Sequence, residues 1–218
     1  MAGLTCDFFK TAGCDRLICM DLHAAQIQGM FAGPFDNLYA IDPLIDQLRR
    51  DYPSGDFVIV SPDAGGEKRA QAWSAKLGVP CTFLIKSRDH HSISTINRHE
   101  LVHKLDFQGK TVVLVDDIGD TIGTLSSAAK IIKSRGAGEV VCCVTHGVFS
   151  RNAFSNLSEP HIDRLYTTNT LPQSDHVSQS DKIRVVDVSE LCAKAVLACV
   201  QGSSMSALFG VEGKGRPS

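Results

Sequence analysis

Asp116 and Asp117 stand side by side where a valine-rich run, Thr111 to Val115, should end. Adjacent carboxylates accept hydrogen bonds from the hydroxyls of a polyol and suit a hard cation such as magnesium. They repel a phosphate. The residues just beyond have the opposite character: Asp120-Thr121-Ile122-Gly123-Thr124 leads into Leu125, Ala128, Ala129 and Ile132 at helical spacing. The free N–H groups of a helix start attract an anion, and the helix dipole adds to the pull. Gly123 lets the backbone approach a phosphate closely, and Thr121 and Thr124 offer hydroxyl donors. A polyol site beside a phosphate site is the chemistry of a sugar phosphate. The competing reading is a solvated turn in which Asp120 only caps a helix. Several independent requirements coincide in one window, which favours the sugar phosphate. No Gly-Lys-Ser/Thr follows, so this is not a Walker loop, and it is not the Gly-x-Gly-x-x-Gly dinucleotide turn.

The pattern around this window predicts the elements that must position it. Thr111 to Val115 reads as a strand buried on both faces, and Gly136 stops the helix that follows. Met1 to about Gly13 reads as a short helix and Arg16 to Met20 as a strand. Asp42-Pro43 is a helix start, with a cap and then proline in the first turn. Strands are expected at 57–60, 82–85, 140–145, 165–168 and 183–188. Gly65-Gly66 opens a helix that Gly78 ends, and Ser189 caps a last one. Lys86 to Ser92 reads as a polar loop. Strands alternating with helices predict an α/β fold with a doubly wound parallel sheet. Ligands in such sheets bind beyond the carboxyl ends of the strands, and Asp63, Lys86 and Asp116 all fall at such ends.

The 218 residues suffice for one or two cores. A formal net charge of −2 gives no electrostatic case for nucleic acid or an anionic membrane. No run is long and apolar enough to span a bilayer, and the start lacks a signal-peptide layout. The eight cysteines are scattered, with no Cys-x-x-Cys pair, and read as reduced residues of a cytoplasmic protein. His99-Glu100-Leu101-Val102-His103 spells His-Glu-x-x-His, which on a helix puts two histidines on one zinc. The pattern is short, its segment brief, and no third ligand is identifiable, so zinc catalysis is the lesser reading.

The 111–124 window resembles the phosphoribosyl-binding loop shared by type I phosphoribosyltransferases and phosphoribosyl diphosphate (PRPP) synthetases. Three more segments decide between them: Asp21-Leu22-His23-Ala24-Ala25-Gln26-Ile27-Gln28-Gly29, Asp36-Asn37-Leu38-Tyr39-Ala40, and Ser61-Pro62-Asp63-Ala64-Gly65-Gly66-Glu67-Lys68-Arg69. Together they closely resemble the ribose-phosphate pyrophosphokinase (PRPP synthetase) family, in order over nearly the whole chain. An ordinary phosphoribosyltransferase is disfavoured, because Asp21-Leu22-His23 and Asp63-Ala64-Gly65-Gly66 match the synthetases in particular.

The resemblance implies type I phosphoribosyltransferase-like topology with a remnant of a second similar domain. Residues 1–41 would be that remnant, 42–201 the catalytic domain and 202–218 a tail. About a domain's length of the family pattern, roughly its first hundred residues, has no counterpart ahead of Met1. The implied reaction moves diphosphate from ATP to the anomeric hydroxyl of ribose 5-phosphate, giving PRPP and AMP for nucleotide biosynthesis. Lys86 and Arg88 match the mobile catalytic loop, where a point charge and a fork suit transition-state charge. That loop is usually more basic than Asp89-His90-His91 makes it here. His23 and Asp63 match magnesium positions near ATP. Asp116 and Asp117 match the pair that holds the ribose hydroxyls with magnesium nearby, and Asp120, Thr121, Gly123 and Thr124 the positions that enclose the 5-phosphate. Gln28, Asn37, Ser204 and Ser206 fall where the family places a regulatory phosphate or nucleotide site. Homo-oligomers, as hexamers or dimer units, are implied. The alternative is a truncated, non-catalytic or regulatory subunit that joins full-length synthetase.

Overall fold

The structure, a computed structural model, describes residues 1–88, 97–102, 105–205 and 208. In chain order the elements are α1 (Ala2–Thr11), β1 (Leu17–Met20), β2 (Phe35–Leu38), α2 (Ile41–Asp51), β3 (Phe57–Ser61), α3 (Glu67–Leu77), β4 (Cys81–Arg88) and β5 (Asn97–Leu101). Then follow β6 (Thr111–Gly119), α4 (Gly123–Ser134), β7 (Glu139–Gly147), α5 (Ala153–Ser158), β8 (Arg164–Thr168), α6 (Ser174–Val177), β9 (Ile183–Val186) and α7 (Ser189–Gln201). They form two compact units, one from Leu44 to Val186 and the other from Met1–Pro43 with the chain from Asp187 onward.

The Leu44–Val186 unit holds a seven-stranded sheet in the order β5-β4-β3-β6-β7-β8-β9. All neighbours are parallel except β5, which runs antiparallel to β4 at one edge. β6 lies at the centre because Val112 to Val115 can be buried on both faces, and all four are fully inaccessible to solvent. On one face Val112, Leu114, Val140 and Cys142 pack with Leu125, Ala128, Ala129 and Ile132 of α4. That spacing makes a single apolar stripe on the helix. On the other face Tyr166 of β8 reaches α2, its hydroxyl donating to the Asp51 carboxylate at 2.6 Å. Burial and that hydrogen bond push the Tyr166 phenol well above its ordinary range. Helices thus cover both faces, and the sheet is doubly wound.

The other unit pairs β1 and β2 as a two-stranded parallel sheet. Leu38 packs with Ala195 and Ala198 of α7 and with Met205, and Ile18 and Met20 border that cluster. The last helix therefore shares a core with residues 1–43, so the compact units divide near residues 43 and 186 rather than at 41 and 201.

Three local expectations are corrected. Lys86, Ser87 and Arg88 do not open a loop; they extend β4, with Lys86 opposite His99 and Arg88 opposite Asn97. The antiparallel partner β5 supplies the backbone bonds that carry the strand past Ile85. The same partner removes the helical basis of the zinc pattern. His99 and Glu100 lie on a strand, where a four-residue separation spans roughly 13 Å rather than one helical turn. His103 lies outside the described residues. Ser189 is the first residue of α7, not its cap, which is Val188. The short helices α5 and α6 carry too few residues for a periodic signal.

Candidate sugar-phosphate site

β6 delivers the site, since its buried run ends at Asp116 and its ladder with β7 continues to Gly119 opposite Gly147. The turn between β6 and α4 holds Asp120, Thr121 and Ile122. Ile122 is the residue ahead of the first helical turn, with φ 61° and ψ 0° in the left-handed region. A β-branched residue is costly there, yet Ile122 is buried in the main core. Its carbonyl accepts the first helical bond, from the Ser126 N–H at 2.8 Å. The N–H groups of Thr124 and Leu125 come before that ladder and have no backbone acceptor among the described residues. Gly123 N–H donates to the Thr121 hydroxyl, at 3.4 Å.

Asp120 is not the cap. It lies two residues ahead of that position, and its carboxylate accepts from the Ser150 hydroxyl. Its carbonyl accepts from the Ser150 N–H at 3.0 Å. Asn156 of α5 donates to the Thr121 carbonyl at 2.7 Å, and Val148 and Phe149 N–H both donate to Gly119 at 3.0 Å. The turn after β7 is therefore the buttress of the turn after β6. Phe149 and Arg151 in that buttress also have positive φ, 49° and 54°. Three strained non-glycine residues on two touching turns make a cluster of the kind found where structure over-determines a site.

Asp116 and Asp117 meet Arg69 of α3, whose guanidinium lies 3.1 Å from Asp116 Oδ1 and 3.4 Å from Asp117 Oδ1. The Asp117 N–H also donates to Asp116 Oδ1, at 2.9 Å. Asp117 is buried. Burial and the contact between the Asp116 and Asp117 carboxyl groups push the Asp116 carboxyl up to about 7, against the opposing pulls of Arg69 and the Asp117 N–H. The sequence reading passed over Arg69, Ser150 and Asn156. Arg69 closes the Ser61–Arg69 run, so its place in that motif was the available signal. Ser150 and Asn156 had none, since they act through the fold.

Asp63 follows β3, the strand beside β6. Its carboxylate caps the short 3-10 helix Ala64–Gly66, accepting from the Gly66 N–H at 3.1 Å. His23 lies in the other unit, just after Asp21, whose carboxylate accepts from the Ala40 N–H at 2.9 Å. There Asn37 is buried and accepts from the Leu22 N–H at 3.0 Å, while Gln28 donates to the Phe35 carbonyl at 2.9 Å. Ser204 is exposed, and Ser206 lies outside the described residues. Among the described residues no three His, Cys, Asp or Glu side chains gather as a metal cage. Magnesium held together with substrate phosphates uses one or two carboxylates and keeps several waters. The hard oxygen donors of Asp63, Asp116 and Asp117 fit that demand.

The doubly wound, mostly parallel sheet, with an acidic pair and the β6–α4 turn at the end of its middle strand, is an α/β fold of type I phosphoribosyltransferase-like topology. Residues 94–210 match the family model of the phosphoribosyl synthetase-associated domain, and the chain belongs to that family. It is 38% identical over 208 residues to ribose-phosphate pyrophosphokinase 3 of Saccharomyces cerevisiae, covering 95% of this chain and 64% of that protein. It is 41% identical over 212 residues to ribose-phosphate pyrophosphokinase 2 of Schizosaccharomyces pombe, covering 96% and 65%. The crystal structure of phosphoribosylpyrophosphate synthetase from Mycobacterium smegmatis aligns with a TM-score of 0.83 at 35% identity, covering 93% of this chain and 64% of that one. The chain thus spans just under two thirds of the length of these relatives. Among its described residues no helix is long and apolar enough to cross a membrane.

Proposed function

We propose that the chain carries the ribose 5-phosphate half of a ribose-phosphate diphosphokinase, the enzyme that moves diphosphate from ATP to the anomeric hydroxyl of ribose 5-phosphate. The observation that carries this reading is the β6–α4 turn. Its Thr124 and Leu125 amides have no backbone acceptor among the described residues, and the Asp116–Asp117 pair lies a few residues before them. The amides, the Thr121 and Thr124 hydroxyls and the α4 dipole take the 5-phosphate. Asp116 and Asp117 accept from the ribose hydroxyls. A Cβ at Gly123 would meet nothing nearer than Thr121 Oγ1 at 3.5 Å and Asn156 Nδ2 at 3.7 Å. The chain's own packing therefore does not demand glycine there, whereas a phosphate against the backbone would.

The reaction needs the anomeric oxygen in line with the β-phosphorus and positive charge at the bridging oxygen. Lys86 and Arg88, from the far end of β4, take up that charge. Asp63 would be a carboxylate ligand for magnesium, which would neutralise charge on the phosphate oxygens; His23 is proposed separately as a metal-binding position of the other unit. Gln28, Asn37, Ser204 and Ser206 are the proposed regulatory set, although Gln28 and Asn37 already bond the backbone of their own unit.

A second reading is a regulatory subunit. The chain would then bind ribose 5-phosphate but act as a subunit that modulates full-length synthetase. One assay separates the two. AMP formation from ATP, ribose 5-phosphate and magnesium by the purified chain supports the enzyme. Silence alone, with a changed rate for an added full-length synthetase, supports the modulator. If neither effect is seen, both readings are refuted.

A further inference from the structure

Consecutive residues of a strand point to opposite faces, yet one oxygen from each of Asp116 and Asp117 lies against a single guanidinium, that of Arg69. The Asp117 N–H donates to the same Asp116 oxygen that Arg69 holds. Asp116 Oδ1 is thereby held from two sides, and the Asp117 carboxyl lies against the Asp116 carboxyl as well. A planar fork can hold two carboxylates at fixed angles where a lysine gives only a point charge. The start of α3, which carries Arg69, is packed closely on β3: it follows Gly66, where a Cβ would come within 2.3 Å of Ser61 Oγ. Ser61 in turn donates to the Asp63 carbonyl at 2.7 Å. The backbone that carries Arg69 is thus fixed against the end of β3, while its guanidinium meets the end of β6.

We infer that Arg69 is a positioning residue for sugar-hydroxyl recognition: its fork fixes the angle of the Asp116–Asp117 pair that accepts from a vicinal diol. This rests on the ribose 5-phosphate reading and adds to it the residue that sets hydroxyl discrimination. Arg69 itself touches neither sugar nor phosphate. A site built to accept from a hydroxyl rejects the analogue that lacks it, because its polar groups are then left unpaired. That discrimination depends on the orientation of the acceptor, so it should fall when the fork is lost.

The test is calorimetric titration of the whole chain with ribose 5-phosphate, 2-deoxyribose 5-phosphate and inorganic phosphate. Wild type is compared with Arg69→Gln and Arg69→Lys, and circular dichroism checks the fold. Wild type should prefer ribose 5-phosphate. Arg69→Gln should lose roughly tenfold of that preference while binding inorganic phosphate as before, and Arg69→Lys should restore part of it. If Arg69→Gln does not fold, Arg69→Lys carries the test, and full retention of the preference in it overturns the inference. An equal loss for both sugars and for phosphate also overturns it, since that is the signature of a merely structural residue. Wild type that binds neither sugar phosphate removes the functional reading itself, and this one with it.

Discussion

Ile122 shows most directly what one residue contributes to this turn. Its side chain is buried, which favours folding by about 1.5–3 kcal/mol, and its left-handed backbone works against that by about 1–2 kcal/mol. Burial wins, so the strained conformation is held in place. Ile122→Ala and Ile122→Gly both lose the burial, but only alanine keeps the strain. Their order should therefore invert the usual one. Urea unfolding should find the glycine variant more stable than the alanine variant by roughly 0.5–1 kcal/mol. At Asp116 the relevant quantity is protonation. Its carboxyl is raised to about 7 in the folded chain and titrates at roughly 4 when unfolded. Between those values the unfolded chain has already released the proton that the folded chain retains. The penalty is absent below roughly pH 4, grows up to about 7, and is constant above. The urea midpoint of wild type should thus fall from pH 5 to pH 8, and Asp116→Asn should remove that slope. The chemistry of these residues was legible in their types and order. Their strain and protonation were not, because both come from burial that sequence does not state.

At the scale of elements, the β6–α4 turn does not hold its own shape. The turn after β7 braces it through Ser150, and α5 through Asn156. That brace is fixed in turn by Gln173, which donates to the Gly147 carbonyl at 2.9 Å, and by the edge-on contact of Phe149 with His176. Asn156→Ala leaves the Thr121 carbonyl without its side-chain donor. It should lower stability by about 1 kcal/mol and weaken ribose 5-phosphate binding, although Asn156 touches no ligand. Unchanged affinity at reduced stability, read from urea unfolding and calorimetry together, would uncouple the brace from the site. The buried strands and α4 were legible because long apolar runs and a 3.6-residue stripe are strong signals. The extension of β4 through Arg88 was not. Lys86-Ser87-Arg88 is polar in either conformation, and only pairing with Asn97–His99 decides it. The brace escaped notice for a related reason, since Ser150 lies thirty residues from Asp120.

For the whole molecule, the doubly wound sheet followed from alternation of elements, and the family from motifs spread over nearly the full chain. The place of α7 did not follow, because its apolar face packs equally well on any sheet, and it shares its core with Leu38. If the chain is the enzyme, Lys86→Ala should lower kcat by far more than it raises KM for ribose 5-phosphate in the AMP-forming assay. An equal effect on both would make Lys86 a ground-state contact. The central claim, that the β6–α4 turn is a pocket for a pentose 5-phosphate, is tested most directly by Gly123→Ala. Alanine meets no clash there and favours the first turn of a helix by up to about 1 kcal/mol. Calorimetric titration with ribose 5-phosphate should show saturable binding by wild type. The alanine variant, at least as stable as wild type, should bind roughly tenfold more weakly. Equal affinity in a folded Gly123→Ala chain, or no binding by wild type, would contradict the account.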